Sequence, residues 1–262
     1  MTILERVEIV GFKSFADMAA FDLVPGINCI VGPGGIGKSN ILDAIEWVLG
    51  GNEKNPGNDS VKSLGILNIN KGGQAELAEV ALTFSKTAKF SPDHEVFVIA
   101  RRKFITGRCD YLLNGKLCIE KTVKEYLNGP AGDFSYCFYE QKPSTGLLSA
   151  SDFYLECLSR FITKIKKQNI SLCIFDDADA RLNREVILKF KELLSSLSKR
   201  IQVIIVCDTA ELESLADITH RLSMSDDATI SEQVYSLRYI VNATIRRLFA
   251  WIHYKVKKLF EK

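Results

Sequence analysis

The run Ile27-Asn28-Cys29-Ile30-Val31-Gly32-Pro33-Gly34-Gly35-Ile36-Gly37-Lys38-Ser39-Asn40-Ile41-Leu42-Asp43-Ala44-Ile45 constrains this chain more than any other stretch. A short apolar segment of strand character leads into a G-x-x-x-x-G-K-S loop, after which Ile41, Leu42, Ile45, Val48 and Leu49 recur at helical spacing. Strand, phosphate loop and helix follow in that order. Glycines let successive backbone N–H groups turn inward at a helix N-terminus, where they form a concave nest for phosphate oxygens. Gly32, Pro33, Gly34, Gly35, Ile36, Gly37 and Asn40 are the candidate cradle. Lys38 would reach the β- and γ-phosphates, and the Ser39 hydroxyl would hold Mg²⁺.

A chain of 262 residues that is 47% hydrophobic can bury a substantial core, as one large domain or as two lobes. Its formal net charge of +2 carries no polyelectrolyte signal, so any attraction to nucleic acid or membrane must come from a local cluster. The seven cysteines include no C-x-x-C pair and several lie in apolar runs, which predicts reduced, buried thiols and argues against a zinc site. His94, His220 and His253 show no metal-ligand spacing. No apolar signal core follows Met1 and no apolar run approaches bilayer-spanning length, so the expected location is cytoplasmic.

Along the chain, Ile3 to Ile9 alternates as a strand, Ala20 to Leu23 follows a turn, and Pro25-Gly26 precedes the phosphate-loop strand. The helix after Ser39 is expected to end near Gly50-Gly51, with loop composition from Asn52 to Gly73. Strand character returns at Ala78 to Phe84, Glu95 to Phe104 and Asp110 to Leu113, where Asn114-Gly115 predicts a hairpin into Lys116 to Ile119. A helix from about Lys121 to Leu127 follows, and Phe134, Tyr136, Phe138 and Tyr139 alternate like a further strand of this first lobe. Downstream, a buried-strand run Ile170 to Phe175 ends in Asp176-Asp177, an amphipathic helix spans Arg184 to Leu197, and Gln202 to Cys207 is a second apolar strand. Strand, helix, strand of this kind predicts parallel pairing. The expected class is α/β, with a mixed-sheet N-terminal lobe (1–147) and a parallel α/β C-terminal lobe (148–237).

An apolar strand ending in an acidic pair, downstream of a phosphate loop, is the Mg²⁺-holding arrangement of P-loop NTPases. Four stretches narrow that class: Gly11-Phe12-Lys13-Ser14-Phe15-Ala16-Asp17, Gly26 to Pro33, Lys38 to Ile45 with Trp47-Val48-Leu49-Gly50, and Tyr111 to Lys116. They resemble the N-terminal head lobe of the SMC (structural maintenance of chromosomes) family. Leu172-Cys173-Ile174-Phe175-Asp176-Asp177-Ala178-Asp179-Ala180 resembles its C-terminal head lobe, and the match is collinear from about Ile3 to Leu237. The resemblance implies an ABC-type ATPase head, two of which sandwich two ATP molecules with Mg²⁺. It would make Lys38 and Ser39 the Walker A lysine and metal ligand, Asp176 the Walker B aspartate, and Gln141 the Q-loop glutamine beside metal and water. Ser149, in Leu148-Ser149-Ala150-Ser151-Asp152, falls at the signature motif that binds the γ-phosphate of the partner's ATP, and Ala180-Arg181-Leu182-Asn183 at the D-loop.

The departures from the family pattern concern turnover more than binding. Asp177 stands where the family has its catalytic glutamate, one methylene too short, and a misplacement of about 1 Å can cost on the order of 100-fold in rate. Ala150 and Ser151 replace the two signature glycines, Asp208 replaces the switch histidine, the R-loop arginine is missing near Leu64-Gly65, and Gly34 and Ile36 differ from the usual Asn and Ser. Only Lys142 to Leu147 separates Gln141 from Leu148, where the family inserts its coiled coil and hinge, so the chain reads as a head without arms.

Beyond the resemblance, 238–262 reads as a basic amphipathic helix, with an apolar series from Val241 to Phe260 and Arg246, Arg247, Lys255, Lys257, Lys258 and Lys262 as charge. It is open to three readings: packing on the head or a partner helix, lying on an anionic membrane surface, or contacting DNA phosphates. Arg101-Arg102-Lys103 is a second basic cluster, readable as a solvated strand end or as a contact for DNA or the partner's nucleotide. The expectation is an ATP- and Mg²⁺-binding head with slow hydrolysis at best, forming a homodimer or pairing with another SMC-type head in chromosome or DNA maintenance. The competing expectation is a non-hydrolysing ATP-binding or interaction module docked through its basic helix.

Overall fold

A computed structural model describes residues 2–50, 66–70, 73–86, 95–129, 134–140, 161, 163, 165, 169–177, 179, 182–225 and 228–236. In chain order the elements are β1 (Thr2–Val10), β2 (Ala19–Asp22), β3 (Ile27–Val31), α1 (Lys38–Leu49), the short β4 (Ile69–Asn70) and β5 (Gly73–Gln74), β6 (Leu77–Lys86) and β7 (Glu95–Phe104). There follow β8 (Cys109–Leu113), β9 (Lys116–Cys118), α2 (Glu120–Leu127), β10 (Tyr136–Glu140), β11 (Leu172–Asp176) and α3 (Arg184–Leu197). The chain continues through β12 (Gln202–Val206), α4 (Ala210–Glu213), β13 (Ile218–Ser225) and β14 (Ala228–Tyr235).

Two six-stranded sheets organise these elements. The first is antiparallel, in the order β2-β1-β6-β7-β8-β9. In β6, Ala78, Val80, Leu82 and Phe84 are buried on one face, the period-2 signature of a sheet with a single core side. Asn114 and Gly115 both have positive φ, 51° and 76°, as the tight turn between β8 and β9 requires. The second sheet has the order β10-β11-β12-β3-β13-β14; its strands pair in parallel except for β14, which folds back on β13. This is the mixed α/β class expected from the sequence.

The second sheet is covered on both faces, which explains why its strands read as continuous apolar runs. Leu172, Ile174, Ile204, Val206 and Ile30 join one core with α1 and the antiparallel sheet. Cys173, Phe175, Val203, Ile205, Cys29 and Val31 join a second core with Val186, Ile187, Phe190 and Leu194 of α3. Helix α1 fills the space between the sheets with Ile41, Leu42, Ala44, Ile45, Val48 and Leu49 buried, and it ends at Gly50, whose φ of 76° closes the helix.

β10 pairs with β11, Tyr136 opposite Leu172, and so belongs to the parallel sheet rather than to the antiparallel one. Alternation reveals a strand but not its partner. Phe138 and Tyr136 still pack toward the first core while Tyr139 faces the second. Arg101 lies between Trp47 and Tyr111, its guanidinium carbon 4.9 and 4.8 Å from the ring centroids, and donates to the Trp47 carbonyl. Arg102 pairs with Glu79. Both arginines are thus engaged within the protein.

Two buried amides tie the layers together. Gln202 accepts from Leu4 N–H at 3.0 Å and donates to the carbonyls of Leu4 at 2.8 Å and Val24 at 3.1 Å, continuing the ladder of β1 beyond the end of β2. Asn28 accepts from Val24 N–H and donates to the carbonyls of Val24 and Val203, holding the Pro25-Gly26 turn to β12. Replacing Gln202 by Leu leaves the Leu4 groups unpaired in the core, so urea unfolding should show a loss of about 2–4 kcal/mol.

His220 is fully buried, its Nε2–H donating to the Asp22 carbonyl at 3.0 Å. Burial lowers its pKa from 6.5 to about 4, so the folded protein resists a proton that the unfolded chain accepts. Its contribution to stability is present above pH 6.5 and is lost as pH falls toward 4. Denaturation midpoints compared between about pH 7 and pH 5 should therefore drop less for His220→Asn than for the wild type.

Candidate functional site

The loop 32–37 runs from the end of β3 into α1. The N-cap of α1 is Gly37, which has φ 104° and brings no side-chain acceptor to the first helical turn, as befits a helix start that receives phosphate oxygens. Glycine is required there on two counts. The left-handed conformation disfavours a side chain, and a Cβ at Gly37 would sit 2.3 Å from Ser14 Oγ. Ser14 is held in turn by Asn40 Nδ2, which donates to it at 2.9 Å, and Lys13 Nζ donates to Asp43 at 2.5 Å, so the 11–14 segment is fastened to the start of α1. Ile36 turns inward and is buried in the first core.

Ser39 and Asp176 meet at the carboxyl ends of the parallel strands. Ser39 Oγ donates to Asp176 Oδ1 at 3.0 Å. Burial raises the Asp176 carboxyl above its ordinary value; the Ser39 hydroxyl opposes that rise, and the charges of Asp177 and Asp43 add to it. A hydroxyl and a carboxylate in a place that disfavours added negative charge are hard oxygen donors suited to Mg²⁺. Asp177 follows at once, exposed and with a left-handed φ of 44°, a conformation that Asp tolerates better than most residues.

Lys38 is nearly buried, and its ammonium donates to the Gly32 carbonyl at 2.7 Å and to Asp208 Oδ1 at 2.8 Å. Asp208, which stands at the position of the family's switch histidine, thus lies directly on the lysine. The backbone beneath it is anchored, because the N–H groups of Asp208 and Thr209 both donate to the buried Asp179 carboxylate, at 2.9 and 2.7 Å for its Oδ2. An open cleft of 540 Å³ runs alongside, lined by Gly32, Pro33, Gly34, Asp208, Glu213 and Arg221 among others. Just behind, the Cys29 and Cys207 thiols approach to 2.8 Å as free cysteines, and their mutual hydrogen bond together with burial pushes the Cys207 thiol up.

Lys38, Ser39, Asn40, Asp176 and Asp177 thus converge on one end of the sheet with the loop of Gly32, Pro33, Gly34, Gly35, Ile36 and Gly37. Gln141, Ser149 with Ala150 and Ser151, Ala180 and Arg181 of the expected D-loop, Leu64-Gly65 and the stretch 238–262 expected to be a basic helix lie outside the described residues. Leu182 and Asn183 are described, and the Asn183 side chain caps α3 by accepting from Val186 N–H. Sequence reasoning assigned no role to Ser14, Asp43 or Asp179. Ser14, Asp43 and Asp179 all lie inside the family-like stretches, and Asp43 is also one helical turn beyond Ser39, which is the available signal.

A family model described as the RecF/RecN/SMC N terminal domain matches residues 3–231. The chain belongs to that family. It is 32% identical over 203 residues to the chromosome partition protein Smc of Bacillus subtilis, covering 69% of this chain and 16% of that protein. Against the Smc of Rhodopirellula baltica it is 36% identical over 159 residues, 57% of this chain and 13% of that one. The chain therefore spans only a small fraction of the length of these relatives. Among solved structures it is similar in fold to an SmcHead bound to the C-winged helix domain of ScpA, with a TM-score of 0.73, 20% identity and coverage of 90% and 99% of the two chains. It is likewise similar to the SMC head domain from Thermotoga maritima, with a TM-score of 0.68, 22% identity and coverage of 89% and 99%. Among the described residues of this SMC head, no helix is long and apolar enough to cross a membrane.

The loop geometry separates two glycines that look alike in sequence. A Cβ at Gly34 meets nothing within 4 Å, whereas one at Gly37 collides with Ser14. Gly34→Ala should leave the thermal midpoint and nucleotide affinity nearly unchanged. Gly37→Ala should cost about 1–3 kcal/mol of stability in a thermal melt and weaken nucleotide binding at least about tenfold.

Proposed function

We propose that this chain is an ATP- and Mg²⁺-binding SMC-type head that associates with a second head in a nucleotide-dependent way, in chromosome or DNA maintenance, and hydrolyses ATP slowly at best. The observation that carries the reading is the hydrogen bond between Ser39 and Asp176, residues 137 apart in sequence that meet beside the phosphate loop. Bound Mg²⁺ATP supplies a γ-phosphoryl group open to attack by water. Toward it, Lys38 would neutralise phosphate charge, and Ser39 and Asp176 would hold the metal with Gln141. Asp177 is the candidate base that would orient and deprotonate water, and Ser149 the residue offered to the ATP of a partner head. Asp177 is one methylene shorter than glutamate, which supports slow chemistry.

A second reading, a non-hydrolysing ATP-binding or interaction module, is favoured by the Asp208 carboxylate lying on Lys38. The similar head solved with the C-winged helix domain of ScpA supports a partner-binding role in either case. DNA and an anionic membrane surface are proposed partners for 238–262.

Equilibrium binding of ATP with steady-state turnover and light scattering separates these readings. Lys38→Ala should weaken ATP binding by at least about tenfold and abolish any turnover, and Asp177→Glu should raise turnover by about tenfold or more. Turnover that is absent in the wild type and unmoved by Asp177→Glu would favour the non-hydrolysing module.

A further inference from the structure

We infer that the Lys38–Asp208 ion pair makes this head select nucleoside diphosphate over triphosphate, with Asp208 occupying the part of the lysine that a γ-phosphate would need. The inference rests on the nucleotide-binding reading of the phosphate loop and goes beyond it by assigning Asp208 as a specificity determinant.

The lysine ammonium has three N–H donors. One is given to the Gly32 carbonyl and one to Asp208 Oδ1, at 2.7 and 2.8 Å, which leaves a single donor for a ligand. A β-phosphate oxygen can take that donor with the pair intact. A γ-phosphate brought to the same ammonium would press its oxygens against an anion already seated there, so a triphosphate must break the pair or bind beside a like charge.

Asp208 is not free to withdraw as a unit. Its backbone N–H is held by Asp179, itself buried, and the preceding Cys207 N–H donates to the Ile30 carbonyl at 3.3 Å, tying this segment to the phosphate-loop strand. Only side-chain rotation can move the carboxylate aside. Among the described residues that line the cleft, the one cation, Arg221, is already paired with Glu213. The Lys38 side chain is 8% exposed and Asp208 68%, so water screens the repulsion in part; the expected discrimination is moderate rather than absolute.

The test is calorimetric titration of the whole chain with Mg²⁺-ADP and with the slowly hydrolysed analogue Mg²⁺-ATPγS, so that turnover does not enter the readout. The wild type should bind ADP about tenfold more tightly than ATPγS, equivalent to about 1.4 kcal/mol. Asp208→Asn should tighten ATPγS by about tenfold and move ADP by no more than about threefold, and Asp208→Glu, which keeps the charge, should retain the preference for ADP. Equal affinities in the wild type, or parallel changes for both ligands in Asp208→Asn, would overturn the inference while leaving the phosphate site standing. Binding of neither nucleotide to the wild type would overturn both.

Discussion

The structure depends on the placement of one strand. β3 lies between β12 and β13, pairing Val203 with Ile27 and Ile218 with Asn28, so the phosphate-loop strand is clasped on both edges by segments about 175 to 190 residues away. Everything at the site follows from that clasp. The parallel direction brings the ends of β3, β11 and β12 to the same side, which puts Lys38 and Ser39 within reach of Asp176 and Asp208. Without it, the phosphate loop would keep its glycines and lose its carboxylates.

Buried polar side chains secure this arrangement where backbone ladders cannot. Gln202 and Asn28 join β12 to β1 and to the turn before β3, and the Asp217 carboxylate accepts from Ile27 N–H at 3.0 Å. Each satisfies backbone groups that would otherwise be left unpaired in the interior, an arrangement far more costly to break than to omit. These links join the N-terminal and C-terminal parts of the chain, so the integrity of the nucleotide side depends on both.

The charges at the site pull in two directions. Ser39 donates to Asp176 beside the phosphate loop, while the Asp208 carboxylate lies on the Lys38 ammonium. Asp177, exposed and in a left-handed conformation, directly follows Asp176.

Local chemistry was legible in the sequence, because it is written in short-range patterns. The phosphate loop, the hairpin at Asn114-Gly115, the α3 helix and the acidic pair that begins with the last residue of β11 all obey rules that act within a few positions, and each was found at its expected place. The partner of β10, the seat of Asp208, the service of Asp179 beneath it and the ladder-mending role of Gln202 were not legible. Each of these depends on which distant strand lies alongside, and strand pairing is set by the burial of both faces of a sheet rather than by any local signal. The sequence by itself determined the elements and the chemistry that they carry. Only the tertiary structure decided which charges face one another, because opposition across a sheet is a property of the assembled layers.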